Sequence, residues 1–83
     1  MDRDAVFAHL KSAAVEVLGV EESAVTEDAR FKDDLDADSL DLVEFVMALE
    51  EKLDITVPEE DLEGVETIGQ ALDLIASKVA AKA

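Results

Sequence analysis

The residue of this 83-residue chain whose type and position best suit chemistry is Ser39, which stands in the acidic run Asp36-Ala37-Asp38-Ser39-Leu40-Asp41. A serine becomes a nucleophile when an adjacent base, usually a histidine held by a third group, takes its proton. The one histidine, His9, is far away in the sequence, and no G-x-S-x-G turn surrounds Ser39. We therefore predict no catalytic residue. Two interpretations of Ser39 stay open: an ordinary serine in a helical first turn, or a hydroxyl that another enzyme modifies.

The aspartates before Ser39 match part of the calcium-loop pattern. Asp34, Asp36 and Asp38 would occupy its first, third and fifth positions. The sixth position requires glycine and the twelfth a glutamate, whereas this chain has Ser39 and Phe45 there. We predict no dedicated metal site and only loose surface binding of divalent ions.

Composition narrows the classes of partner. The chain has 22 Asp and Glu residues against 7 Lys and Arg, which gives a net charge of −15. This charge opposes binding to nucleic acid or to an anionic membrane, and it favours partners with basic patches. The chain has no cysteine, so any thiol must be imported on a prosthetic group. Neither a secretory signal nor a membrane-spanning run is present, so we expect one cytoplasmic domain over residues 1–83.

Hydrophobic periodicity predicts an all-α fold, a small four-helix bundle with three longer helices and a short third helix. The first spans about 4–18 and stops at Gly19, and the second spans about 39–53 with Asp38 as its N-cap. Pro58 is expected to open the short third helix over 59–62. The last helix starts at a capping box and runs to about Val79.

A long first loop delivers the chain to Ser39. Residues 19–38 show no clear periodicity, and a loop of that length in a small domain needs anchors. Spaced apolar residues supply them: Val20, Val25, Phe31 and Leu35. We predict a loop pinned to the core, with a short turn near 21–24.

The second helix has two apolar stripes of different width. Leu42, Val46, Leu49 and Leu53 fall on one arc and predict the core face. Leu40 and Met47 lie about a third of a turn away, bordered by Glu44 and Glu51. They are either incidental exposed side chains or a docking stripe, in which apolar anchors dock and acids steer.

A set of short motifs extends over nearly the whole chain. Around Ser39 stands Leu35-Asp36-Ala37-Asp38-Ser39-Leu40, followed by Val43-Glu44 and Ala48-Leu49-Glu50-Glu51. Elsewhere the chain has Leu18-Gly19-Val20, Phe31, Ile55-Thr56-Val57-Pro58 and Thr67-Ile68-Gly69. Together these motifs resemble the acyl carrier protein family, in particular the free-standing carriers of dissociated bacterial fatty-acid synthesis, and the motif around Ser39 resembles its attachment site. One departure is Asp36, where the family usually has glycine.

The resemblance implies that Ser39 carries phosphopantetheine, taken from coenzyme A by a phosphopantetheinyl transferase (a holo-carrier synthase). It implies a monomeric carrier of acyl thioesters, not an enzyme. The partners it implies present basic patches and include ketosynthases, acyltransferases, ketoreductase, dehydratase and enoyl reductase. The positions matching the family's docking surface are Asp38, Leu40, Asp41, Val43, Glu44, Met47 and Glu51.

An acyl chain carried between partners needs shelter from water, and small bundles can hold apolar ligands between helices. We hypothesise a pocket lined by Phe31, Leu42, Phe45, Val46, Leu49, Val57, Leu62, Val65, Ala71 and Ile75. These residues can equally be the ordinary core, and both interpretations hold if the core can part.

Three alternatives stay open at this point. The chain could serve polyketide synthesis, although the run from Val43 to Glu51 is more typical of the fatty-acid type. A carrier of non-ribosomal peptide synthesis fits worse, because that group usually has glycines where Asp36 and Ala37 stand. Outside the carrier class, the chain could be an acidic or calcium-linked interaction module without a prosthetic group.

Overall fold

Three α-helices make up about half of the protein, which we describe over residues 2–82 from a computed structural model. Helix α1 is Arg3–Ala13, α2 is Ser39–Leu53 and α3 is Ile68–Lys82. No strand forms within residues 2–82, where the one β-type pairing is an isolated antiparallel bridge between Arg30 and Thr67. The predicted all-α fold with three longer helices is confirmed.

Helix α1 and the turn after it together fill the predicted first helix. Asp2 caps the start, because its carboxylate accepts a 2.8 Å hydrogen bond from the Ala5 backbone. The α-helix then widens into a π-helical turn, Ala14–Leu18. Gly19 ends it with a left-handed backbone, φ 69°, which glycine adopts without steric cost.

Helices α2 and α3 start where the sequence predicts. Helix α2 has the predicted bounds, and α3 continues to Lys82, beyond the expected end at Val79. The capping box before α3 is confirmed. The backbone N–H of Gln70 donates to Thr67 Oγ1 over 3.2 Å, and the backbone N–H of Thr67 donates to Gln70 Oε1 over 3.1 Å.

The short third helix is a 3₁₀ turn, Glu59–Leu62, instead of an α-helix. Pro58 precedes this turn with an extended ψ of 144°, so the expectation that it is the first helical residue is wrong. Four residues are too few for a run of α-helical bonds, and tighter bonds such as Asp61 N to Pro58 O, 3.0 Å, close the turn instead.

The core joins side chains of all three helices with anchors from the long loop. The largest fully buried side chains are Phe45, Leu10, Leu49, Ile68, Leu72, Ile75, Val6 and Val25. The rings of Phe31 and Phe45 pack with centroids 5.6 Å apart. Of the predicted anchors, Val25, Phe31 and Leu35 are buried and Val20 is half-buried. The loop is therefore pinned to the core as predicted, and its short turn is the 3₁₀ segment Glu22–Ala24.

Backbone hydrogen bonds fasten the long loop to the start of α3. Phe31 N donates to Glu66 O, and Ile68 N donates to Ala29 O, each over 2.9 Å. Gly69 N also donates to Glu27 O over 2.9 Å, and a Cβ at Gly69 would stand 3.0 Å from that oxygen, so this close approach favours glycine. These contacts hold the loop in place just before it reaches Ser39.

No helix of the described part of the chain is both long and apolar enough to span a membrane.

Candidate attachment site at the start of helix α2

Ser39 is the first residue of α2, and its side chain is exposed. The residues on either side cap the helix: Asp41 N donates to Asp38 Oδ1 over 2.9 Å, and Asp38 N donates to Asp41 Oδ2 over 3.3 Å. This reciprocal pair satisfies backbone donors of the first turn. The Ser39 hydroxyl is thus not needed for capping. The sequence predicted Asp38 as the cap but not the return bond from Asp41.

The four residues before Ser39 alternate between the core and solvent. Leu35 and Ala37 are buried, whereas Asp36 and Asp38 are exposed. Asp36 has a left-handed backbone, φ 53°. Such a φ is costly for most residues with a side chain but not for glycine, the residue that the sequence resemblance leads us to expect at this position. Asp36 therefore keeps the turn that glycine would make and adds a carboxylate close to Ser39.

Arg30 and Asp34 close the turn behind this segment. Asp34 Oδ2 accepts a 2.7 Å hydrogen bond from Arg30 N, and the Arg30 guanidinium also lies within 3.3 Å of Asp33 Oδ2. The backbone bond from Arg30 lowers the pKa of Asp34, with a further contribution from the guanidinium. An ionised Asp34 therefore helps to hold the loop that presents Ser39.

Two open grooves flank Ser39. The first, of about 680 Å³, runs between the long loop and residues 62–66, and its apolar wall is formed by Phe31, Leu42, Leu62 and Val65. The second, of about 660 Å³, lies between α2 and the 3₁₀ turn Glu59–Leu62. Leu42 and Leu62 line both grooves.

Arg30 and Lys32 are cationic residues of the first groove that the sequence analysis missed. Their only sequence signal is two basic residues in an otherwise acidic stretch close to the serine. The groove also contains Asp33, Asp38 and Glu66, so its rim is mixed in charge. The exposed Ser39 hydroxyl beside an apolar wall fits the long, partly apolar arm of a phosphopantetheine.

The predicted docking residues lie together along α2. Leu40, Glu44, Met47 and Glu51 are four, three and four residues apart, a spacing that places them on one helical face. Leu40 is 65% exposed and Met47 57%, although both are large and apolar. Asp41 and Val43 are half-buried beside this face, and Asp38 is exposed at its start.

The residues of the hypothesised acyl pocket divide into two groups. Leu42, Leu62 and Val65 are half-buried in the groove wall. The others are buried in the core: Phe31, Phe45, Val46, Leu49, Val57, Ala71 and Ile75. Phe31 belongs to both regions, because it lines the first groove and packs against Phe45. The groove wall is therefore continuous with the core.

Within residues 2–82, no group of three or more His, Cys, Asp or Glu side chains is arranged to hold a metal ion.

Known proteins with similar sequences indicate the family of this chain. The family model described as the phosphopantetheine attachment site matches residues 8–75. An acyl carrier protein of Guillardia theta is 46% identical over 81 residues, which span 98% of this chain and 100% of that protein. The chain belongs to the acyl carrier protein family. The acyl carrier protein of Petrotoga mobilis is 43% identical over 79 residues, 95% of this chain and 93% of that one.

A solved acyl carrier protein structure, from Enterococcus faecalis, has the same fold. Its TM-score is 0.73 at 36% sequence identity, over 94% of this chain and 99% of that chain. Together these matches confirm the predicted family, the carrier role and phosphopantetheine as the prosthetic group. Acyl carrier proteins carry acyl groups and are not catalysts. The matches do not favour the interaction module or the other carrier pathways.

Proposed function

We propose that this acyl carrier protein bears phosphopantetheine on Ser39 and presents acyl chains to the enzymes of fatty-acid synthesis. The observation that carries the proposal is the exposed Ser39 hydroxyl at the first position of α2, beside a groove with an apolar wall. The attached group supplies a terminal thiol that holds an acyl group as a thioester.

Ser39 is a substrate in this scheme, and its neighbours position it. The Asp38–Asp41 capping box fixes the first turn of α2, so the hydroxyl is presented from an ordered backbone. No residue of the chain is proposed as a base. A phosphopantetheinyl transferase must therefore supply the group that takes the Ser39 proton.

The exposed face of α2 is the proposed docking surface for that transferase and for the synthesis enzymes. Leu40 and Met47 provide apolar anchors, and Glu44 and Glu51 border them with charge. Basic patches on ketosynthases, acyltransferases, ketoreductase, dehydratase and enoyl reductase would complement these acids. Such partners of dissociated synthesis are expected in the cytoplasm, where we infer that this carrier works as a monomer.

The proposed shelter for the acyl chain starts at the groove and continues into the core. Phe31 supports this path, because it lines the groove and packs on Phe45. Burial of each methylene removed from water stabilises the sheltered state by about 0.8 kcal/mol.

The test is the intact mass of the protein before and after incubation with coenzyme A, Mg²⁺ and a phosphopantetheinyl transferase. We expect a gain of one phosphopantetheine in the wild type and in Ser23→Ala, which removes another exposed serine, and no gain in Ser39→Ala. A folded wild type that gains nothing, or a Ser39→Ala protein that gains the same mass, would refute the assignment.

A further inference from the structure

Residues 58–65 form a strap that is a wall of both grooves beside Ser39. Leu62 lines both of them, and Val65 lines the first. The strap contains the 3₁₀ turn, with extended Pro58 before it and left-handed Gly64, φ 84°, after it. Movement of the strap would therefore change access to Ser39 and to the apolar wall behind it.

Hydrogen bonds to other elements fix the backbone at both ends of the strap. Val57, just before it, is buried and donates from its amide to Glu50 Oε2 over 3.3 Å. Glu66, just after it, accepts from Phe31 N over 2.9 Å. Within the strap the backbone bonds stay local: Asp61 N to Pro58 O at 3.0 Å, Glu63 N to Glu60 O at 3.3 Å, and Val65 N to Leu62 O at 3.1 Å. The strap is thus a segment anchored at its ends, with a middle that has no such anchor.

One ion pair joins the middle of the strap to a helix. Lys78 Nζ of α3 lies 2.9 Å from Asp61 Oδ2, with side-chain exposures of 32% and 33%. Among the ion pairs of residues 2–82 it is the one that reaches the strap. The other attachment is apolar, through the half-buried Leu62 and Val65. A segment with so few contacts should open at low cost, and one ion pair can then change its opening equilibrium.

We propose that the Asp61–Lys78 pair is a latch that keeps the strap closed over the Ser39 groove and sets how often an acyl chain enters or leaves the core. The role for acyl chains rests on the proposed function, whereas the latch itself is a property of the unmodified protein. The two charged groups are in contact and only partly exposed, so loss of their attraction should favour opening of the strap without unfolding the helices.

The first experiment measures amide hydrogen exchange of unmodified protein at low salt by NMR. An opened strap loses the packing that keeps so short a turn formed, so its local backbone bonds should break on opening. In Lys78→Gln, we therefore expect the amides of Asp61, Glu63 and Val65 to exchange roughly two- to fivefold faster than in the wild type. The Phe31 amide, which bonds to Glu66 beyond the strap, should keep its rate. In 1 M NaCl the difference between the two proteins should largely vanish, since the Debye length there is about 3 Å.

Lys82→Gln is the matched control. It removes the same charge from the same helix, and it breaks the contacts of Lys82 with Asp54 Oδ2 and Leu53 O, each 3.2 Å, neither of which belongs to the strap. We expect it to leave strap exchange unchanged. The charge-swapped variant D61K/K78D should restore slow exchange. If Lys78→Gln leaves strap exchange unchanged, or if Lys82→Gln accelerates it equally, the latch is refuted.

The second experiment uses acylated protein and measures cleavage of the thioester by hydroxylamine. If the closed strap shelters the chain, octanoyl Lys78→Gln should react roughly two- to fivefold faster than octanoyl wild type, while the acetyl forms react alike. Equal octanoyl rates would refute the role in acyl entry. Failure to load Ser39 would refute the proposed function instead, and the exchange experiment would still test the latch.

Discussion

Asp36 occupies a backbone conformation that costs an L-residue roughly 1–2 kcal/mol, although aspartate tolerates it better than most residues. Its φ of 53° is shared by one other non-glycine residue of the described chain, Asp54, which ends α2. Both positions would accept glycine without strain. They differ in their surroundings, because Asp36 lies close to Ser39 and Asp54 lies at the opposite end of the helix.

Asp36→Gly should stabilise the protein by roughly 0.5–1 kcal/mol. Glycine relieves the strain of the left-handed backbone, but part of that gain is lost because glycine is more flexible in the unfolded chain. Urea unfolding at neutral pH measures the change. Asp54→Gly is the comparison, and it should gain less because it also loses the pair with Lys82. A loss of stability in Asp36→Gly would mean that the carboxylate makes a stabilising contact that outweighs the strain.

Asp34 should make stability depend on pH in the acid range. Its pKa lies below the ordinary value of 3.8 in the folded protein, so its contribution is present above pH 3.8 and is lost as the pH falls through the lower folded value. Asp34→Asn should therefore be less stable than the wild type at pH 7. Urea midpoints measured down to pH 2.5 should show this difference shrinking below pH 3.8, and a constant difference would exclude the carboxylate charge as its cause.

At the scale of elements, α2 serves two environments. One face packs Phe45, Val46, Leu49 and Leu53 into the core, and another exposes Leu40 and Met47 between acids. The capping box fixes the first turn of α2. That turn begins the helix that packs into the core, and it also presents the Ser39 hydroxyl.

Glu44→Lys should weaken partner docking without unfolding α2, because Glu44 is exposed on the face of Leu40 and Met47. At low salt we expect kcat/KM of the phosphopantetheinyl transferase to fall roughly three- to tenfold, with the loss decreasing as salt rises. Glu21→Lys makes the same charge change at an exposed loop position and should have a smaller effect. Equal kinetics in Glu44→Lys and wild type would remove this face from the docking surface.

At the scale of the whole molecule, a small core supports a chain with a net charge of −15. Self-repulsion favours expansion, and apolar burial together with a few bridging ion pairs opposes it. Arg3 joins three segments, because it pairs with Asp73 of α3 and, at 2.5 Å, with Glu27 of the long loop. The bonds to Asp73 and to Glu27 raise the pKa of Arg3. The three segments meet at the start of α1.

Longer acyl chains should raise the melting temperature if they enter the core. Each buried methylene contributes about 0.8 kcal/mol, and 1 kcal/mol shifts the melting temperature of a domain of this size by about 4–8 °C. Calorimetry of the octanoyl form should therefore show a transition several degrees above that of the acetyl form, which carries the same arm. Identical melting temperatures would mean that the chain stays outside and that the hypothesised pocket residues are core alone.

The three longer helices and the candidate site could be predicted from the amino-acid sequence, because their signals are local. Apolar periodicity, the N-cap Asp38, the stop at Gly19 and the Thr67–Gln70 box each lie within a few residues of the boundary that they set. The motif around Ser39 is equally local, and the family match agrees with the resemblance it carries.

The contacts between distant parts of the chain could not be predicted from the sequence and are seen only in the folded protein. The Arg30–Thr67 bridge, the Arg3 contacts and the Asp61–Lys78 pair connect residues that no periodicity relates. The 3₁₀ form of residues 59–62 and the groove with Arg30 and Lys32 also depend on how the loop packs against α2 and α3. Such contacts depend on the summed packing of the whole bundle, which short-range sequence patterns do not specify.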